Sequence, residues 1–339
     1  MNFDFTDDQQ AIKRTARDLL TQRFKPETVR ELAEAGHYDD AHFSELVDLG
    51  WAGIFVDEEH GGQGLGTVEL AILMEELGYS LAPVPFLSNV AAGLMVQHAG
   101  NDEQRSRWLP GIASGEARGT VGVVREGVAA LVPDADSAEL VVLLDNSAGT
   151  VHAASECEIE PVETIDATRR FARVSATGAG DPLENTLPAW DRICAAISAE
   201  LVGVAQRMLE MAVAYARERK QFDRPIGAYQ AVSHRCADML REVESARSTT
   251  LWAAWAAEAE PETLPLAASM AKALASDAGW NVASSALQVH GGIGFTWEHD
   301  LHFLLKRAKV DGALFGSARE HRERVASLSG LGAGAPTAA

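Results

Sequence analysis

Cysteine is scarce, with only Cys157, Cys194 and Cys236 in 339 residues. The odd count, wide separation and lack of any CxxC spacing exclude a disulfide framework and a zinc cluster, and predict reduced thiols. Basic residues are also few, 29 against 49 acidic ones, giving a formal net charge of −20. Such a charge repels a phosphate backbone and leaves no basic patch for nucleic acid. No apolar run reaches the roughly 18 residues needed to cross a bilayer. Met1-Asn2-Phe3-Asp4-Phe5 lacks the basic-then-apolar start of a secretory signal. These absences predict a soluble, cytoplasmic protein with no metal, membrane or nucleic-acid partner. No repeat occurs at solenoid spacing.

Apolar residues make up 47% of the chain, ample for a core, and the length predicts two or three packed modules. Thr6-Asp7-Asp8-Gln9 is a capping-box start ahead of the periodic Ile12, Ala16, Leu19 and Leu20. Helices are predicted next from about Lys25 to Ala35 and from Ala41 to Leu49, the latter ending at Gly50. Further helical spacing covers Thr67 to Gly78, Val90 to His98 and Asp102 to Leu109, with Pro83 and Pro85 breaking the chain between the first two. The run Asp57-Glu58-Glu59-His60-Gly61-Gly62-Gln63-Gly64 is a weak match to a phosphate loop. It lacks GxGxxG spacing and its acids would repel phosphate, so it reads as a plain turn.

Between Thr120 and Gly180 the pattern changes to short aliphatic runs, Val121–Val124, Leu140–Leu144 and Phe171–Val174, with a hairpin-type turn at Asp145-Asn146-Ser147-Ala148-Gly149. Helical periodicity then returns over Ile193–Arg219, Ala228–Ala257, Leu264–Gly291 and Asp300–Ser327. The expected fold is mostly α: an N-terminal helical domain (1–117), a small, shortened middle β domain (118–185) and a C-terminal four-helix bundle (186–328). Residues 329–339, rich in Gly and Ala, are expected to form a flexible tail.

The stretch from Arg219 to Gln230, RKQFDRPIGAYQ, ends one long helical pattern and opens the next. Alone it is compatible with a solvated connection between helices. Two other stretches change its reading: Leu49-Gly50-Trp51 with Glu58–Gly64 and Glu75-Glu76-Leu77-Gly78, and Gln288-Val289-His290-Gly291-Gly292-Ile293-Gly294-Phe295-Thr296. Together, and in this order, the three stretches resemble the acyl-CoA dehydrogenase family of flavoproteins. The resemblance spans nearly the whole chain and implies FAD as cofactor and an acyl-CoA thioester as substrate. In that family the two C-terminal motifs bind the ADP half of a neighbouring subunit's FAD. The implied contacts are Arg219, Gln221, Phe222, Gln230, Gln288, Gly291, Gly292 and Ser317. The chemistry suits them: a guanidinium forks onto pyrophosphate, amides offer hydrogen bonds, and glycines admit close backbone approach. His290 reads as an ordinary helix-end side chain.

The chain departs from the family where a base is needed to remove the α-proton. The position of the usual Glu, in a Tyr-Glu-Gly-Thr turn, falls on Phe315 within Leu314-Phe315-Gly316-Ser317. The alternative Glu position at the start of the first bundle helix falls on Ile193. Neither can take a proton. Asp191 is the nearest carboxylate, displaced by two residues and so turned to another helix face; it reads more readily as an N-cap. The Thr-Glu-Pro and Gly-Ser-Asp segments that line the flavin ring in the family are missing too, since Val121–Gly127 runs on without them.

This pattern resembles the short subunits of heteromeric actinobacterial acyl-CoA dehydrogenases. There a longer partner supplies the Glu in an α2β2 assembly, and steroid side-chain CoA esters are typical substrates. The expectation is a subunit that desaturates acyl-CoA only with such a partner. Two alternatives stand beside it: a homo-oligomeric flavoenzyme using Asp191, and a degenerate, non-enzymatic assembly protein.

Overall fold

The computed structural model describes residues 4–145 and 148–331. The Thr6 box forms as expected: Thr6 Oγ1 accepts from Gln9 N and Gln9 Oε1 accepts from Thr6 N, opening α1 (Asp7–Arg23). Then follow α2 (Pro26–Ala35), α3 (Asp40–Asp48), α4 (Thr67–Ser80), α5 (Phe86–Ala99) and α6 (Asp102–Ser114). Gly50, at φ 76°, stops α3 in the left-handed conformation that glycine tolerates. Glu58–His60 is a 3-10 turn that Gly61–Gly64 continues as loop, with no strand before it, and a Cβ on Gly62 would lie 2.0 Å from Val56 O. It is packed loop, as the acids and spacing predict.

The middle segment holds β1 (Gly119–Val123), β2 (Ala129–Pro133), β3 (Leu140–Asp145), β4 (Ala148–Ala153), β5 (Cys157–Val162), β6 (Phe171–Ala176) and β7 (Asp181–Leu183). They form two sheets, β1-β3-β4-β7 and β2-β6-β5, with β1 parallel to β3 and the other pairs antiparallel. The hairpin expected at 145–149 is present as Asp145↔Ala148 pairing, while its tip, Asn146 and Ser147, lies outside the described residues. Strands β2 and β7 carry no periodic signal, whereas β5 does alternate, Cys157, Ile159 and Val162 being less exposed than Glu158 and Glu160. β5, Cys-Glu-Ile-Glu-Pro-Val, is half exposed, and β7 has three residues.

The C-terminal segment comprises α7 (Leu187–Glu218), a small hairpin β8 (Lys220–Gln221) and β9 (Arg224–Pro225), then α8 (Gln230–Ala259), α9 (Leu264–His290), α10 (Leu301–Asp311) and α11 (Ala318–Leu328). Two expectations are corrected here. Helix α7 starts at Leu187, so Asp191 sits inside it, buried, and is not its N-cap. The helix expected over Asp300–Ser327 is two helices. Phe315 (φ 54°) and Gly316 (φ 95°) turn left-handed and end the helical path. Ser317 then starts α11 through a second capping box with Glu320. That Ser-x-x-Glu signal was legible in the sequence. The described part of the expected tail ends at Leu331, and residues 332–339 lie outside the described residues.

The connector between α10 and α11 is held through its carbonyls. Buried Lys272 on α9 donates to Gly312 O (3.1 Å) and Gly316 O (3.0 Å), and His321 Nε2 donates to Phe315 O (2.8 Å). Burial pushes the His321 imidazole down to about 4, so it stays neutral and keeps its Nε2 proton for that bond.

The chain divides into two compact units. One contains the described residues within Met1–Arg30, Ala71–Ala82 and Ile197–Ala339; the other is Glu31–Leu70 with Pro83–Ala196. In the first, α4 crosses α7 backbone to backbone: a Cβ on Gly203 would lie 1.9 Å from Glu75 O, and one on Gly78 2.1 Å from Glu200 O. The acids beside this crossing are buried and paired. Glu75 meets Lys13 (3.0 Å) and Arg247 (3.2 Å), Glu76 meets Arg17, and Glu200 meets buried Arg307 (2.7 Å). In the second unit the sheets close on Val132, Val141, Leu143, Ala172 and Val174. There Asp134 accepts from Tyr38 Oη (2.5 Å) and Ser88 Oγ (2.6 Å), so a buried carboxylate is satisfied by two hydroxyls.

Gly203→Ala should lower unfolding free energy by about 3 kcal/mol, because backbone cannot yield as a side chain does. Gly178→Ala, where no atom lies within 4 Å of the new Cβ, should change it little; urea titrations of the two variants decide. The depressed His321 pKa also fixes a pH dependence. Its folded value lies below the unfolded 6.5, so its contribution to stability is full above pH 6.5 and is lost as pH falls toward 4. His321→Gln should flatten that part of a thermal-stability profile between pH 6.5 and 4.

Candidate cofactor site

The hairpin after α7 is built around two residues in an uncommon conformation. Lys220 pairs with Pro225 and Gln221 with Arg224, which leaves Phe222 (φ 52°) and Asp223 (φ 63°) as a two-residue turn with both residues left-handed. That geometry matches the twist of a hairpin but is normally reserved for Asn and Gly. An aromatic side chain there is strained, and Phe222 is also 88% exposed. Ile226 N donates to Arg219 O (2.8 Å), closing the loop and setting Arg219 at its base with an exposed side chain. Tyr229 braces it from within: its hydroxyl donates to Gln221 O (3.1 Å), Arg224 lies over its ring (4.0 Å), and Phe222 meets it edge-on (6.4 Å). Gln230, the first residue of α8, is exposed.

The second motif closes α9. Gln288 is exposed on the last turn, and Gly291, at φ 63° and ψ −138°, ends the helix in a conformation open to glycine alone. No atom lies within 4 Å of where a Cβ on Gly291 or Gly292 would stand, so the space beside both Cα atoms is open. His290 joins the two motifs. Its ring stacks on Tyr215 of α7, one turn before Arg219, at 4.6 Å, and meets His299 edge-on at 4.6 Å. Its Nδ1 donates to Ala286 O (2.8 Å), and burial lowers the pKa of both His290 and His299, keeping the rings neutral. His290 is therefore more than a helix-end side chain. The Tyr215 and His299 partners carry no local sequence signal, since they come from other elements.

Arg219, Gln221, Phe222, Gln230, Gln288, Gly291 and Gly292 thus lie in one compact unit, on two turns tied together by the Tyr215–His290 stack. Ser317 is on the α10–α11 connector, as the N-cap of α11. Its hydroxyl accepts from Glu320 N and donates to Glu320 Oε2 (2.8 Å), within its own cap. Around the two turns Phe295 (75%), Trp297 (57%) and Ile293 (47%) are uncovered as well as Phe222. The donor set fits the ADP half of FAD: a guanidinium for phosphate, amides for hydroxyls and ring nitrogens, open glycine backbone, and apolar faces needing cover.

The two positions implied for a base carry none. Phe315 is buried and Ile193 fully so. Asp191 is buried within α7. Among the described residues no group of three or more His, Cys, Asp or Glu is arranged to hold a metal, and no helix is long and apolar enough to cross a membrane.

Residues 6–116 match the acyl-CoA dehydrogenase N-terminal domain, and residues 189–328 match the acyl-CoA dehydrogenase C-terminal domain. The chain is 33% identical to acyl-CoA dehydrogenase IpdE2 of Mycolicibacterium smegmatis over 94% of its own length and 98% of that protein's. It superposes on a chain of the ChsE4-ChsE5 complex from Mycobacterium tuberculosis with a TM-score of 0.89, 26% identity and full coverage of both chains (100% each). It also superposes on a chain of a variant Tcur3481-Tcur3483 steroid ACAD, with a TM-score of 0.85, 26% identity and coverage of 95% and 98%. The chain belongs to the acyl-CoA dehydrogenase family, whose members are FAD-dependent oxidoreductases acting on CH–CH groups.

Proposed function

We propose that this chain is the base-lacking subunit of a heteromeric acyl-CoA dehydrogenase, completing the FAD site of a longer partner that carries the catalytic Glu. The observation that carries the reading is the pair of buried apolar side chains, Phe315 and Ile193, at both positions where the resemblance implies a carboxylate. A base for an α-proton must be a titratable group beside the substrate, and neither residue titrates. The uncovered apolar faces at Phe222, Phe295 and Trp297 support a half-site that another polypeptide covers. The likeness to chains of the ChsE4-ChsE5 complex and of the Tcur3481-Tcur3483 steroid ACAD supports a two-component assembly, α2β2 by resemblance, acting on a steroid-type acyl-CoA.

When bound, FAD supplies the two-electron acceptor for the hydride that leaves the substrate Cβ. This chain's share is to bind and orient. Arg219 grips the pyrophosphate, Phe222 covers an apolar face, and the amides of Gln221, Gln230 and Gln288 take hydrogen bonds. Gly291 and Gly292 let the backbone approach, and the Tyr215–His290 stack holds both turns in register. Ser317 adds a contact from the connector. Phe315 stands, buried and unable to titrate, where the resemblance places the base.

Two measurements test the reading. Purified alone, the chain should retain little flavin and show no flavin bleaching with acyl-CoA; co-purified with the longer family member, it should do both. Full flavin retention and bleaching by the lone chain overturn the proposal. Asp191→Asn should leave the activity of the complex nearly unchanged, whereas a homo-oligomeric enzyme using Asp191 would lose it. A complex without visible flavin absorbance would point to a non-enzymatic assembly role. In the complex, Arg219→Ala should weaken FAD retention by roughly tenfold to a hundredfold, the range for a lost charge-assisted hydrogen bond. Arg219→Lys should fall between, since it keeps the charge but not the fork.

A further inference from the structure

A cavity of about 120 Å³ lies within the first unit, walled by the C-terminal end of α1, the start of α2, the end of α4, the middle of α7 and the start of α10. None of its lining residues belongs to the two turns described above. Most of its wall is apolar, with Leu81, Met211, Phe303 and Leu304 among the side chains. Its polar groups are few. Ser80 Oγ is buried and has no hydrogen-bond partner among the described residues, and the residue itself is only 8% exposed. Arg207 also lines the cavity, and its one hydrogen bond among the described residues runs from Nη1 to Tyr79 Oη (3.3 Å). A guanidinium has five N–H donors, so a side chain with donor capacity beyond that bond and an unsatisfied hydroxyl both line the cavity.

The charges around the cavity are balanced. Arg30 pairs with Asp300 (2.5 Å), Arg17 pairs with Glu76, and Arg207 is linked through Tyr79 Oη to Glu210, which accepts from that hydroxyl (2.5 Å). With no net charge in the wall, an ionised ligand would lose its hydration without a counter-ion. A neutral acceptor, by contrast, would satisfy Ser80 and Arg207 together. The volume is close to that of the apolar cavities of about 150 Å³ that take up a benzene-sized molecule.

From this we infer a binding site for a small neutral molecule with an apolar body of about six carbons and one carbonyl or hydroxyl oxygen, the oxygen accepting from Ser80 Oγ and Arg207. The site is separate from cofactor binding and does not depend on the reading of the chain as a partner subunit.

The test uses the full chain, in the assembly in which it purifies, with 13C-methyl methionine labelling; Met211 lines the cavity, and Met211→Leu assigns its signal. Cyclohexanone should shift the Met211 methyl resonance saturably in the millimolar range, as expected for a ligand of this size. Ser80→Ala, which removes one oxygen and barely alters packing, should weaken binding about threefold to tenfold, the range for one neutral hydrogen bond. Methylcyclohexane should bind more weakly than cyclohexanone, and cyclohexanecarboxylate more weakly still. An unmoved Met211 methyl would mean that the cavity holds only water, and overturns the inference. So would equal binding of methylcyclohexane or of the carboxylate, or unchanged affinity in Ser80→Ala.

Discussion

The first unit depends on one close approach, the crossing of α4 and α7 at Gly78 and Gly203. Only glycine allows a carbonyl from the facing helix to come within about 2 Å of where a Cβ would stand. Bringing backbones this near buries Glu75, Glu76 and Glu200 beside the crossing. Buried carboxylates are tolerable only when paired. Lys13 and Arg17 of α1, Arg247 of α8 and Arg307 of α10 therefore all converge on this point. Helices distant in sequence are drawn together by the same few acids.

The order imposed on α7 extends to its C-terminal end. Tyr215, in the last turn of α7, stacks on His290 at the end of α9, so the hairpin at Phe222 and the glycine turn at Gly291 share one support. A left-handed phenylalanine is unfavourable in isolation, whereas the conformation at Gly291 is one that glycine adopts readily. The strained Phe222 turn is braced by Tyr229, and the openness around Phe222 and Gly291 leaves both turns available to a ligand and a partner surface. The α10–α11 connector shows a related economy: Lys272 and His321 hold its carbonyls, so the turn keeps its shape although Phe315 contributes no chemistry.

Local signals in the chain translated well into local structure. The capping box at Thr6, the stop at Gly50 and the break between Gly78 and the next helix follow from side-chain and backbone rules that act over three or four residues. The hairpin at Asp145 was legible for the same reason. Where periodicity alone was used, it overran: the pattern from Asp300 to Ser327 continues across Phe315 because apolar spacing does not register a left-handed backbone. Strands β2 and β7 owe their extended form to sheet pairing rather than to their own composition, while β5 alternates but is short and acidic.

By itself, then, the sequence determined the helix caps, the family resemblance, the acidic surface and the lack of a carboxylate at positions 315 and 193, since each is a property of residue type and near-neighbour spacing. Tertiary structure alone decided which residues are brought together. It buried Asp191 inside α7 and made His290 a stacked support. It left Phe222 and the glycine turn uncovered and set Ser80 and Arg207 in the wall of one cavity. These outcomes depend on which helices cross and how closely, and that is set by pairings between segments up to 270 residues apart, such as Arg30 with Asp300, that no local pattern encodes.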